Sequence, residues 1–312
     1  MITSAMTTLS TALRDARADL ADRAHEVSTG RPRDVADAVG AGNMPAYAAA
    51  ADRAMVGAAR AEAADTAEQR LETQLTALSR FKTPIRTAMD ALVKNETLPA
   101  PGALLDDMTA TLNTESAGRA LFGGAQVDRA PLPTGADWAM SLARTAYTGT
   151  GGSVTDKIAA VRDAFLAPGG AYDTAVGSLG GAPDQVPGAS GLVPATARDP
   201  ALRTGLAGMA LAGLAQETGS ADVRRAAIET LGTADQALAG LEGTLGARAA
   251  RADSLGTQAE TRAQAAEMRM REMEGVSLED STIGLIRTSQ HIERLYATMA
   301  RISELSLVNY LR

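Results

Sequence analysis

The sequence predicts a mainly α protein: a long, discontinuous antiparallel helical bundle or coiled-coil rod built from both chain ends, with a small loop-rich module, able to hold short β-strands, inserted between them. Three observations carry this. Apolar residues recur every seven positions at both ends and in two long inner stretches, as they do in helices that bury a narrow seam. Side chains are small, with alanine about a fifth of the 312 residues and aromatic residues only 3%, so helices approach closely around thin cores. The stretch from Gly123 to Gly219 holds more than half of the 30 glycines and 12 prolines, and there the seven-residue period is lost.

The first helix is predicted over residues 1–30. Met6, Leu13, Leu20 and Val27 stand seven apart with Leu9 and Ala16 between them, and Thr29-Gly30-Arg31-Pro32 supplies a C-terminal glycine and a proline that cannot continue the ladder. A second helix follows from about Tyr47 to Asn95, with Leu71, Leu78, Ile85 and Leu92 in register and Leu75 and Met89 beside them. Pro84 is expected to kink it or split it near Thr83. After Pro99-Ala100-Pro101-Gly102 comes a shorter helix from about Ala103 to Ala117.

Within the Gly/Pro-rich stretch, helices are predicted at about Thr155 to Leu166 and Pro200 to Gln216, and short strands in the remainder. Helical order returns from about Ala221 to Glu274, where Leu231, Leu238, Leu245, Ala252, Ala259, Ala266 and Met273 keep one phase. At 1.5 Å per residue such a helix is about 80 Å long, which implies a rod. Its five glycines each weaken it by about 1 kcal/mol relative to alanine, so neighbouring helices must support it. A final helix begins after Glu274-Gly275-Val276-Ser277, with Leu285, Ile292 and Met299 at one seam position and Leu295 and Ile302 at the other. The expected domains are residues 1–42 with 276–312, residues 43–122 with 220–275, and residues 123–219.

The formal charge of -7, without a basic cluster, argues against a nucleic-acid partner. The absence of cysteine excludes disulfides, thiolate metal sites and a cysteine nucleophile. His25 and His291 are the only histidines, so no enzyme, metal site or cofactor is expected. His25-Glu26 begins like a zincin motif, but Thr29 stands where the second histidine belongs. Either histidine is a candidate for titrating near neutral pH and tuning assembly. Gly149-Thr150-Gly151-Gly152-Ser153 precedes a helix but lacks a P-loop lysine and reads as a turn. Charged residues from Arg14 onward leave no apolar stretch for a cleavable secretory signal, and Thr204–Gln216 is short of the roughly 18 residues that span a bilayer. Neither a signal peptide nor membrane insertion is expected.

Two apolar helical ends must bury their seams. Mutual antiparallel pairing, with the middle of the chain looped out, is the simplest arrangement, yet it leaves outer faces exposed. Met6, Leu9, Leu13, Leu20, Val27, Leu285, Ile292, Leu295, Met299, Ile302, Leu305, Leu307 and Tyr310 are therefore the expected assembly interface, while seams 71–92 and 231–273 close within the chain.

Three short segments resemble a known family. Ala300-Arg301-Ile302-Ser303-Glu304-Leu305-Ser306-Leu307-Val308-Asn309-Tyr310-Leu311 is similar to the ending shared by bacterial flagellin-like proteins, and Glu26-Val27-Ser28-Thr29-Gly30-Arg31 to the family's "S-T-G-(K/R)" segment. Gly118-Arg119-Ala120-Leu121-Phe122-Gly123-Gly124, followed by Ala130-Pro131-Leu132, resembles an element of the hook-filament junction branch that flagellins lack. The opening Met1-Ile2-Thr3-Ser4 departs from the family's "M-R-I-S", and Arg33-Asp34-Val35-Ala36-Asp37 is a reduced form of its aspartate-proline run.

The resemblance implies a non-enzymatic structural protein of the bacterial flagellum, exported unfolded by the flagellar type III apparatus and placed outside the cell. Its implied partners are copies of itself, hook-associated protein 1, flagellin, an export chaperone and the export apparatus. Flagellin itself is the alternative within the family. A coiled-coil adaptor or the helical stalk of a sensor is the alternative from another class.

Overall fold

The computed structural model describes residues 2–135, 137–176, 192–275 and 277–310, without the side chains of residues 2–6, 37 and 303–310. Ten helices run α1 (Ile2–Thr29), α2 (Val35–Val39), α3 (Met44–Val93), α4 (Pro101–Leu112), α5 (Asp137–Gly149), α6 (Val154–Leu166), α7 (Ala171–Val176), α8 (Pro200–Thr218), α9 (Ala221–Glu274) and α10 (Leu278–Tyr310). Between α4 and α5 lies a two-stranded hairpin, β1 (Glu115–Ser116) with β2 (Arg119–Ala120). The protein is mainly α, and its chain divides into a terminal unit, Met1–Ala58 with Glu260–Arg312, and a central unit, Ala59–Ala259.

The central unit is built on the two inner seams. Leu71, Leu78, Ile85 and Leu92 of α3 and Leu231, Leu238, Leu245 and Ala252 of α9 are all buried. The helices run antiparallel. Lys82 pairs with Glu242 at 2.9 Å and Arg86 with Asp235 at 3.4 Å, while Gly256 lies against Ala64 and Asp65. Lys82 is itself buried, and the carboxylate at 2.9 Å offsets the cost of taking its charge out of water. Pro84 does not split α3, which continues to Val93. The missing amide removes one bond, and the burial of Phe81, Pro84, Ile85 and Ala88 around it holds the turn.

The described residues of 123–219 pack into the central unit rather than forming a module of their own. Val161, Phe165 and Tyr172 belong to the same core as Leu78 and Phe81. Helix α8 is the centre of that core, buried from Ala201 to Ala215 except at Thr204. Its residues are apolar all round, which is why no seam is visible in its sequence. Its glycines permit contact with three helices. A Cβ on Gly205 would lie 2.9 Å from Phe81 of α3, on Gly208 2.8 Å from Leu231 of α9, and on Gly213 2.9 Å from Met140 of α5.

The helix ends follow from capping. Ser153 and Asp156 form a reciprocal box at the start of α6, and the Asp199 side chain accepts from the Ala201 amide at the start of α8, with Pro200 in the first turn. Arg203 of α8 donates to the Phe165 and Ala167 carbonyls at the end of α6 and lies over the Tyr172 ring. Among the described residues the only strands are β1 and β2. The strands expected within 123–219 are absent from the described part of that stretch, where α5 and α7 appear instead.

The Leu121-Phe122 segment is held from above and below. Gln74, fully buried in α3, donates to the carbonyls of Leu121 and Ala195, both at 2.8 Å, and accepts from the Ala195 amide at 2.9 Å. The Ala197 amide donates to the Phe122 carbonyl. Gly123 is required on steric grounds, since a Cβ there would lie 2.4 Å from the Gln126 carbonyl.

Candidate assembly surface

In the terminal unit α1 and α10 pack antiparallel along their lengths. The register is set by polar contacts beside the seam. Ser281 donates to Glu26 at 2.9 Å, Arg23 lies against Gly284, Thr288 donates to Asp19 at 2.7 Å, and Arg17 donates to the Tyr296 hydroxyl while its guanidinium sits over that ring. Helix α1 ends as expected at Gly30, whose φ of 68° suits glycine and whose amide bonds the Glu26 carbonyl.

The terminal seams meet each other within one chain. Ala16 and Ile292 are buried, and Leu9, Leu13, Leu20, Val27, Leu285, Leu295, Met299 and Ile302 are half-buried. The side chains of Met6, Leu305, Leu307 and Tyr310 lie outside the described residues. This narrows the expected interface. Two apolar stripes on antiparallel helices bury most area by closing on one another, which leaves their half-covered edges and the outer face of α10 exposed.

The outer face of α10 carries two isoleucines among charged and polar residues. At 100° per residue, Ile283 and Ile286 lie across α10 from Ser281, Thr288 and Ile292, and they are 39% and 53% exposed. Leu278 and Tyr296 on the same helix, Met55 and Val56 on α3, and Met268 on α9 are also exposed. Among the described residues Val93 is the one other large exposed hydrophobic, and the only one in the central unit. Conversely, among the described residues the terminal unit buries the apolar side chains of Ala16, Pro32, Val39, Ala50, Ala263, Ala266 and Ile292, four of them alanine. Both apolar core clusters belong to the central unit.

Sequence reasoning did not identify the outer residues of α10. A signal was present: Ile283 and Ile286 fall outside the Leu285–Ile292–Met299 phase, and an apolar side chain off the seam of a helix with one partner faces solvent.

One buried charge closes a corner of the terminal unit. Glu274, the last residue of α9, is 4% exposed, and its Oε1 accepts from the Tyr47 hydroxyl at 2.7 Å while Oε2 has no partner. The Tyr47 phenol is held above its ordinary range, first by that hydrogen bond and then by burial. Among the described residues no cluster of three or more His, Asp or Glu is arranged to hold a metal ion. None of the described helices is long and apolar enough to cross a membrane. Comparison with known proteins finds no matching family model, curated protein or solved structure.

Proposed function

We propose that this chain is a self-associating structural subunit of the bacterial flagellum, a flagellin-like protein of the hook-filament junction in the branch of hook-associated protein 3. One observation carries the self-association. Among the described residues the terminal unit exposes seven of the eight large exposed hydrophobics and buries mainly alanine, an apolar surface that another molecule can cover. The placement in the flagellum rests on the resemblance of residues 26–31, 118–132 and 300–311, and the partners follow from it: further copies, hook-associated protein 1, flagellin, an export chaperone and the type III export apparatus. Contacts repeated head to tail without closing build the helical tube that such a subunit enters.

Immunogold labelling of a tagged copy tests the placement. A single band where the filament begins is expected. Labelling along the filament makes the protein a filament subunit instead, and retention inside export-competent cells favours a coiled-coil adaptor. Replacing Ile283 and Ile286 by aspartate tests the surface. Both side chains are exposed, so the variant should fold and be exported as before but fail to incorporate.

A further inference from the structure

Between α7 and α8, residues 192–197 cross the central unit as a strap that is neither helix nor strand. Leu192 packs with Ala67 and Ala252, and Ala195 bonds to Gln74. Ala67 and Gln74 are about 10 Å apart along α3, a span that three residues cover when the chain is extended. The hydrogen bonds described for the strap run from its backbone. Arg248 of α9 donates to the Val193 carbonyl, and the Gln74 amide serves both backbone groups of Ala195. The Ala197 amide donates to the Phe122 carbonyl at 2.9 Å, and the Tyr172 hydroxyl donates to the Ala197 carbonyl at 2.7 Å. Pro194 has no amide to satisfy. The main chain is gripped as in a bound peptide, while side chains are admitted by size: Leu192 is 2% exposed, Ala195 5% and Ala197 0%.

We propose that this channel is a peptide-binding site and that residues 192–197 are its resident, exchangeable ligand. The class of ligand is an extended peptide with a leucine at one position and residues no larger than alanine three and five positions later. The groups that grip the strap are oriented by contacts outside it. The Gln74 amide also donates to the Leu121 carbonyl at 2.8 Å, and the Tyr172 ring lies under the Arg203 guanidinium with its centre 6.0 Å from that of Trp138 and 6.1 Å from that of Phe165. The channel is therefore preorganised and keeps its shape when the strap leaves. The strap itself is lightly anchored. Leu192 is its one long buried side chain, whereas α8 is buried over nearly its whole length, so the strap opens at a lower cost than the core around it. Neither argument uses the flagellar placement or the self-association, so this inference stands apart from the proposed function.

Ala195→Asp with Ala197→Asp sets two carboxylates where the wild type buries two methyl groups, which expels the strap and keeps the chain at full length. A fluorescein-labelled peptide of residues 192–199 should bind this variant saturably, and the same peptide carrying the two aspartates should not. The wild-type chain should bind the natural peptide about tenfold or more weakly, because its own tethered strap competes at high effective concentration. A variant that remains helical by circular dichroism and binds no peptide overturns the proposal, as does equal binding of both peptides or equal binding by variant and wild type. Amide hydrogen exchange in the unaltered protein gives a second measurement. The Ala195 and Ala197 amides should exchange about tenfold or more faster than those of α8, through an opening with little dependence on denaturant. If they exchange only together with α8, the strap leaves only when the whole unit unfolds, and the proposal falls whether or not the variant folds.

Discussion

Replacing Gln74 by leucine tests the join between the hairpin and the body of the central unit. The substitution keeps approximate volume and removes the amide that serves Leu121 and both backbone groups of Ala195. The backbone groups stay buried and lose their partner. Each net hydrogen bond is worth about 1 kcal/mol and each stranded group costs about 1–3 kcal/mol, so the loss should be about 3–5 kcal/mol. For a domain of 150–250 residues about 1 kcal/mol moves Tm by 2–4 °C, which makes the expected fall about 10 °C. Trp138 is the only tryptophan and lies in the central unit, so its fluorescence follows this transition without a signal from the terminal helices. Urea titration should show a lower midpoint with an unchanged slope. A loss below about 1 kcal/mol would mean that water or another side chain satisfies these groups, and that Gln74 does not organise the segment.

Three further outcomes follow from contacts described above. Gly208→Ala forces a methyl against Leu231 and should cost the central unit about 1–3 kcal/mol, read from the same fluorescence transition. Ile292→Asp places a charge in the α1–α10 seam and should accelerate amide exchange in both helices while leaving the Trp138 transition in place; a shifted transition would show that the seam supports the central unit. Burial and the like charges of Asp253, Glu72 and Asp65 hold the Glu68 carboxyl above its ordinary range. The fold binds that proton more tightly than the unfolded chain, so this stabilising contribution is present in acid and lost as pH rises through the folded value. Glu68→Gln should therefore raise Tm at pH 7, and the gain should shrink as pH falls through the carboxylate range.

Much of this architecture is legible in the sequence wherever one face of a helix is buried. The leucines of α3 and α9 keep their period because each helix has a dry side and a wet side, and α9 ends at Glu274, one residue beyond the last seam position. Helix α8 hides its role because it is apolar on every side, so its glycines resemble loop residues rather than points of close contact. The hairpin hides for another reason. Its two-residue turn places Ala117 at φ 52° and Gly118 at φ 72°, and alanine is not the residue that announces such a turn. On α10 the seam was visible, but the surface beyond it was not, because a period finds the residues that share a face and passes over those that leave it.

The antiparallel contact between Gly256 and Asp65 also shortens the loop that the terminal helices must close. Glu26 and Ser281 are 255 residues apart in the chain, yet once α3 and α9 have zipped together only about 60 residues of free chain separate them. Closure entropy grows with the logarithm of the free length, so the shortening saves about 1 kcal/mol at a step where α1 and α10 have only a thin seam to gain. Pairing of α1 with α10 is therefore entropically easier once α3 and α9 have paired.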